Sequence, residues 1–368
     1  MWIWQQQAWP QFSWQETQLL PRLRQLQQKR GMLLGRASVA ENSEAQTLDT
    51  LLTNILSSSA IEDERINAQS VRSSPARRLG VSLEQPYPVS ARSEGLATIM
   101  MEAITQREEP LTLDRLCQWH QWLFPASEWT IKRLNVGTLR GEEPMQVVSG
   151  RLDRPVVHFE APPRRGLEKQ LDDFIAWFNR SRDDVMLDPL LRAAICHLWF
   201  VTLHPFDDGN GRITRALTDL ALAQADSQSI RLYAMSASIL NRRADYYRIL
   251  QETQRGGLDV TPWLLWFLDV LNDSLAQALA SVTRMQNKAR FWLIHNAAAL
   301  NAEQTRVLNR LLDGGEQGFS EGISASQYQK VAKVSKATAT RHLAELVEKG
   351  CLEKLPGGGR STRYRIKH

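Results

Sequence analysis

The run His204-Pro205-Phe206-Asp207-Asp208-Gly209-Asn210-Gly211-Arg212-Ile213-Thr214-Arg215 gathers the groups that attack on phosphorus requires. His204 is a general base by type, with an ordinary pKa near neutrality. Asp208 is a hard oxygen ligand suited to Mg²⁺. Gly209, Asn210 and Gly211 form a turn that enters an apolar helical pattern at Ala216, Leu217, Leu220 and Ala221. A helix start leaves its first backbone N–H groups unpaired, and the helix dipole adds partial positive charge there. The turn is therefore a cradle for phosphate. Arg212 and Arg215, three apart on the first turn, add guanidinium groups for further phosphate oxygens or a carboxylate. A loop-helix junction with solvated arginines explains any one of these features. Their occurrence within twelve positions favours phosphoryl chemistry, which needs positioning and charge neutralisation above all.

Two helices must hold this stretch. Residues 190–203 are almost wholly apolar and read as a buried helix, which Pro205 ends by forcing His204 out of helical geometry. The pattern after Gly211 is the second.

His-x-Phe-x-Asp-Gly-Asn-Gly-Arg-x-x-Arg resembles the signature of Fic-domain proteins at every defining position. The resemblance implies a mostly α fold, a Fic-type helical core with a β-hairpin flap. It also implies transfer of AMP from ATP to a hydroxyl side chain (Ser, Thr or Tyr) of a target protein, with Mg²⁺. By position, His204 would deprotonate the hydroxyl and Asp208 would hold the metal. Gly209, Asn210 and Gly211 would cradle the phosphates, with Arg212 on the β- and γ-phosphates and Arg215 on the γ-phosphate. Residues 44–62 carry Leu48, Leu51, Leu52, Ile55 and Leu56 at helical spacing and end in Ser58-Ser59-Ala60-Ile61-Glu62. Ser58-x-x-x-Glu62 resembles the inhibitory motif that precedes many Fic cores, so Glu62 would pair with Arg215 and occlude the γ-phosphate site. Asp63 stands where that motif has Gly or Asn.

Along the chain, residues 1–16 hold Trp2, Trp4, Trp9, Phe12 and Trp14 with Pro10, an aromatic arm expected to dock on the body. Helices are expected over 15–34, 95–107 and 113–124, with His120 a packed structural residue on the last; residues 72–90 read as a turn-rich loop. Gln146-Val147-Val148-Ser149-Gly150 and Pro155-Val156-Val157-His158-Phe159 are β-like runs around a turn, a hairpin by pattern. In similar proteins that hairpin is the flap that takes a target peptide by strand addition, which assigns the edge to Val157, His158 and Phe159. Residues 167–178 resume the helical pattern. A further helix over 241–254 brings Tyr247 and Gln254 to positions that lie near the nucleotide in such proteins, and Thr261-Pro262-Trp263 opens another.

Residues 300–368 hold twelve Lys and Arg against seven Asp and Glu, the whole net charge of +5, so a polyanion partner is expected of the tail alone. Three helical patterns (304–312, 324–332, 335–349) precede two strand-like runs around Gly357-Gly358-Gly359. That order looks like a winged helix-turn-helix with 335–349 as recognition helix and Arg360, Arg363 and Arg365 on the wing, a module that binds DNA or protein. The expected domains are 1–90, 91–299 and 300–368. Three dispersed cysteines indicate neither a disulfide framework nor a zinc site, and no apolar run reaches membrane-spanning length. A cytoplasmic protein without a membrane partner is expected, able to modify itself and to form a homodimer. Two other readings stay open: a nucleotide-sensing DNA-binding regulator with weak turnover, and a de-AMPylase in which Glu62 orients water.

Overall fold

The computed structural model describes residues 1–37, 43–78, 87–125, 134–151, 154–226, 232–295, 298–314, 319, 321–357 and 362–367. After a 3-10 turn at Ile3–Gln5, six helices and a hairpin follow: α1 (Glu16–Ala37), α2 (Ser43–Ile61), α3 (Ala68–Arg78), α4 (Ala91–Thr105), α5 (Leu113–Leu123), β1 (Gln146–Arg151), β2 (Arg154–Glu160) and α6 (Leu167–Arg180). Next come α7 (Pro189–Leu203), α8 (Asn210–Asp226), α9 (Met235–Asn241), α10 (Arg243–Gln254) and α11 (Thr261–Ile294). The chain closes with α12 (Ala302–Asp313), α13 (Ala325–Ala332), α14 (Lys336–Glu348), β3 (Leu352–Lys354) and β4 (Tyr364–Ile366).

The chain divides into two compact units, Met1–Ala278 and Leu279–His368. The division falls inside α11, because Phe291 near its end packs in the second unit's core with Leu308, Tyr328, Leu343 and Ile366.

In the first unit α7 is the central element. Asp188 caps its N-terminus, accepting from the Leu190 N–H, with Pro189 in the first turn; every residue from Leu190 to Leu203 is buried. Trp199 and Phe200 join Phe174, Trp177, Trp9 and Phe12 in one aromatic cluster. The rings of the N-terminal arm thus complete the core on that side. The arm is further tied down at Ser13, whose N–H donates to the Leu258 carbonyl and whose own carbonyl accepts from Val260.

Three expectations change. Residues 68–78, expected in part as loop, form α3 despite Ser73, Ser74 and Pro75. The serines are buried small residues there, and Ser70 and Ser73 accept hydrogen bonds from the Ser90 and Tyr87 N–H groups. Residues 79–86 of that expected loop lie outside the described residues. The helix expected from Gly95 starts instead at Ala91, capped by Ser90. Gly95 lies within it because a Cβ there would come 1.7 Å from the Trp122 carbonyl oxygen of α5. The helix expected over 241–254 is α10, which opens at Arg243 because α9 ends at Asn241.

α2 is rooted in the core by more than apolar contact. Asn54 donates to the Asp219 carboxylate on α8 (2.5 Å) and accepts from the Ser236 N–H on α9 (2.9 Å), all three buried. Breaking such a buried polar bridge is costly, so it ties the middle of α2 to α8 and α9.

β1 and β2 form an isolated antiparallel pair with a bulge opposite Val147 and Val148. In the second unit α12, α13 and α14 precede the antiparallel pair β3–β4, and Ile323 bridges to Tyr364. Asn301, Ser324 and Ser335 cap the three helices. Among the described residues no helix is long and apolar enough to cross a membrane.

Candidate active site

His204 terminates α7 with φ 49° and ψ 57°, left-handed rather than extended, so its ring leaves the helix axis and lines a cavity of about 800 Å³. Its Nδ1 lies 3.0 Å from the Val201 carbonyl, which places the proton there and leaves Nε2 as a lone-pair acceptor. Burial lowers the His204 pKa, against the Val201 hydrogen bond, and Arg140 lowers it further; the net shift is downward. The imidazole is a neutral base at neutral pH.

The loop after His204 is held residue by residue. Arg140, 2% exposed, donates through Nε to the His204 carbonyl (2.8 Å), and its N–H donates to the Pro205 carbonyl (3.0 Å). The Asn210 side chain closes the loop on itself, accepting from the Phe206 N–H and donating to the Phe206 carbonyl. Asp207 accepts from the N–H and side-chain amide of Asn135. His120 accepts from the Gly137 N–H at Nδ1, so its Nε2–H donates to the Asp208 carbonyl (3.2 Å), and its ring stacks on Phe206 at 4.4 Å.

α8 begins at Asn210, and the first bond from its interior runs from Ile213 N–H to the Gly209 carbonyl. The N–H groups of Asn210, Gly211 and Arg212 are those that precede the helical ladder, which is the cradle. Gly209 requires glycine: its φ is +80°, and a Cβ would lie 2.5 Å from Leu123. Asn210 contributes backbone to the cradle while its amide serves the loop.

Both signature arginines are buried and already engaged. Arg215 donates from Nε to Ser58 Oγ and from Nη2 to the Ser58 carbonyl (both 2.8 Å), and Nη2 lies 2.9 Å from Glu62 Oε1. Ser58 and Glu62, one turn apart at the end of α2, therefore address one guanidinium. A Cβ built on Gly211 would lie 2.2 Å from Glu62 Oε1, so the carboxylate sits directly on the cradle. Burial raises the Glu62 pKa, but the charge and hydrogen bond of Arg215, with Arg212 and His204, outweigh it and hold it below the ordinary value. Arg212 pairs with Glu64 at 2.5 Å, and Glu64 also meets Arg92. Asp63, at φ 59°, pairs with Arg243 at 2.5 Å, and Arg243 Nε donates to the Ile61 carbonyl. Three consecutive acidic residues thus each hold a different arginine. Arg212 Nε and Arg215 Nη1 remain buried without a hydrogen-bond partner among the described residues.

Tyr247 donates to the Ile61 carbonyl (3.0 Å), and Gln254, 4% exposed, donates to Thr202 Oγ1 (3.2 Å); both line the cavity. Of the flap residues, His158 and Phe159 line the cavity and Val157 does not. The Val157 carbonyl accepts from Arg255, and His158 Nδ1 lies 3.0 Å from Gln251 Oε1. Met145, Gln146, Val147, Val148 and Ser149 line the cavity from the β1 side. Asp208 is half exposed; its Oδ1 accepts from the Gly209 N–H, and Oδ2 has no hydrogen bond among the described residues. One free carboxylate oxygen fits Mg²⁺, which takes one or two carboxylates and completes its shell with water and substrate phosphates. Among the described residues no cluster of three ligating side chains is present.

Sequence reasoning missed Glu64, Arg92, Arg140 and Asn135, and it gave His120 a packing role without its bond to Asp208. None has a local signal: Arg140, Asn135 and His120 meet the loop from distant elements, while Glu64 meets Arg212 and Arg92 meets Glu64.

His120 and His197 also shape acid stability. His197 is fully buried between Thr218 and Tyr246. Burial lowers the pKa of His120 to about 4 and of His197 to about 3. Unfolded histidine binds its proton near pH 6.5, so between that value and the folded pKa the unfolded chain holds more protons and stability rises with pH. The melting temperature should fall from pH 7 to pH 5, with about two protons taken up on unfolding at the lower pH by these two histidines and a further contribution from His204. His197→Asn should flatten that slope by about one proton in a calorimetric pH series.

Residues 110–222 match the Fic/DOC family, and residues 2–81 match a domain of unknown function, DUF4172. A protein adenylyltransferase Fic of Nematostella vectensis is 25% identical over 276 residues, 72% of this chain and 59% of that protein. Protein adenylyltransferase fic-1 of Caenorhabditis elegans is 27% identical over 232 residues, 63% of this chain and 41% of that protein. The chain spans about half the length of these curated relatives. A Fic family protein from Desulfovibrio desulfuricans G20 has a similar fold, with TM-score 0.50 and 21% identity, covering 94% of this chain and 96% of that one. The Fic/DOC match covers the segment that carries the His204 loop and most of α8, so residues 110–222 are similar to a Fic/DOC domain.

Proposed function

We propose that the first unit transfers AMP from ATP to a hydroxyl side chain of a target protein, and that Glu62 holds this activity down. The observation that carries the reading is the convergence on one cavity of a neutral His204 with Nε2 free, the α8 cradle and Arg212, with Arg215 held behind Glu62, which itself lines the cavity. His204 Nε2 accepts the hydroxyl proton, the oxygen attacks the α-phosphorus, and the bond from that phosphorus to the bridging oxygen breaks as pyrophosphate leaves. Cradle N–H groups, Arg212 and Arg215 bind and orient the phosphates. Asp208 would hold Mg²⁺, which neutralises phosphate charge when bound. Tyr247 and Gln254 line the side of the cavity toward α10, where an adenine base would rest. The names of the relatives support AMP as the group transferred. ATP labelled at the α-phosphate should mark protein, the chain itself included, while ATP labelled at the γ-phosphate should not. Label from the γ-position on protein would overturn the reading.

The second unit has its own reading as a winged-helix module that binds duplex DNA. Lys336, Thr340 and Arg341 are exposed along one side of α14, and the unit carries the chain's excess positive charge. The wing arginines are less available than the sequence suggests. Arg365 pairs with Glu353, and Arg363 donates to the Gly322 carbonyl; Arg360 lies outside the described residues. The full chain should bind duplex DNA with affinity falling steeply with salt, and Lys336→Ala with Arg341→Ala should reduce the salt slope by about two. Absence of binding at low salt would leave the module to a protein partner.

A further inference from the structure

We propose that the aromatic segment at residues 2–6 is a brace that sets the β1–β2 hairpin over the His204 cavity, positioning the protein substrate and not the nucleotide. This rests on the transfer reading above. It gives a role to the N-terminal segment that matches a domain of unknown function. An isolated two-stranded hairpin is marginal by itself in water, and among the described residues this one pairs with no third strand. Something else must fix its height and tilt.

The contacts that do so converge on β2. Trp4 Nε1–H donates to the Glu160 carbonyl at 2.7 Å. The Trp2 ring meets Phe159 edge to face at 5.3 Å, and Phe159 is 3% exposed. Arg255, just past α10, lays its guanidinium 5.2 Å from the Trp2 ring centroid and donates to the Val157 carbonyl at 2.9 Å. Gln6 donates to the Gly256 carbonyl at 2.8 Å, which ties the segment to the end of the same helix. Only Ile3 in this segment is fully buried. Trp2 and Trp4 are half-buried, and they act through a ring edge and an N–H on flap atoms.

These bonds also have a directional consequence. With the Val157 and Glu160 carbonyls occupied, an extended partner adds along β1, whose residues 146–149 face the cavity that His204 lines. A preordered edge lowers the ordering cost of capturing an extended segment and fixes the hydroxyl near His204. None of the brace residues lines the nucleotide side of the cavity.

The test uses the full chain carrying Glu62→Gly, with Trp2→Ala and Trp4→Phe introduced together and Trp2→Phe as the conservative variant. In the double variant, amide hydrogen exchange of residues 146–160 should speed up about tenfold or more, since one hydrogen bond and one aromatic contact are lost. Affinity for a fluorescent N-methylanthraniloyl ATP should stay within about twofold, because the cradle is untouched. The ratio of label on protein to free AMP released should fall about tenfold, and Trp2→Phe alone should restore it largely. Unchanged hairpin exchange overturns the brace, as does a loss of nucleotide affinity equal to the loss of transfer. If no variant moves AMP at all, the transfer reading fails separately, and the exchange measurement still decides the brace.

Discussion

His204→Ala should lower AMP transfer by about 10²–10⁴-fold while ATP affinity changes little. The separation follows from the anatomy of the loop. Arg140, Asn135, His120 and Asn210 hold the loop through backbone atoms or through Asp207, so removing the imidazole leaves the cradle's scaffold in place. The substitution does meet a constraint, since residue 204 has a positive φ that alanine adopts less readily. His204→Asn, which tolerates that conformation and cannot serve as a base, is the control. Both variants should lose turnover and keep nucleotide binding in a titration. The pH profile gives a second signature. With the His204 pKa lowered by burial, the acid limb of kcat/KM should lie below the ordinary histidine value of about 6.5. Near-normal turnover by either variant would remove His204 from the mechanism.

Much of this site was legible because its chemistry is contiguous. Twelve successive residues hold the imidazole, the carboxylate, the turn into α8 and both arginines proposed for the site, and the flanking apolar patterns name the two helices. Ser58 and Glu62 were picked out by their resemblance to an inhibitory motif, and the structure brings both to the Arg215 guanidinium. What stayed hidden is tertiary. Arg140 reaches the His204 carbonyl across 64 residues, and Glu64 reaches Arg212 across 148. Neither spacing leaves a trace in sequence.

The loop reading of residues 72–78 failed for a compositional reason. Serine and proline usually signal turns, but buried serine hydroxyls here accept N–H groups from the following segment, and helix α3 gains partners that propensity does not count. The flap shows the limit differently. Its hairpin was readable from alternation around a turn, whereas the occupation of two β2 carbonyls by Trp4 and Arg255 was not. Asp63, unusual beside the inhibitory pattern, finds its reason in Arg243, which no local pattern connects to it.

Glu62→Gly should raise AMP transfer about 10²-fold or more over the unaltered chain. In the resting site Glu62 Oε1 stands 2.9 Å from Arg215 Nη2 and close enough to Gly211 to leave no room for a Cβ. A terminal phosphate directed there meets a carboxylate in place of a guanidinium, and the α-phosphorus is displaced from the line of attack. Acidification is no substitute for the mutation. A carboxyl whose folded pKa lies below its ordinary value stays charged through pH 5, so the block and its pairing persist there and weaken only as pH falls further. Glu64 adds a second contact beside it: with Glu62 gone it still holds Arg212, steadied by Arg92. Glu62→Gly with Glu64→Gln should therefore exceed Glu62→Gly alone, by about threefold to tenfold if the pair behaves as a partly buried charge-assisted contact. Arg215→Ala should not activate, since it removes the phosphate ligand together with the partner of Glu62. Equal rates for the unaltered chain and Glu62→Gly, measured with α-labelled ATP, would show that the end of α2 is structural and that control of this site lies elsewhere.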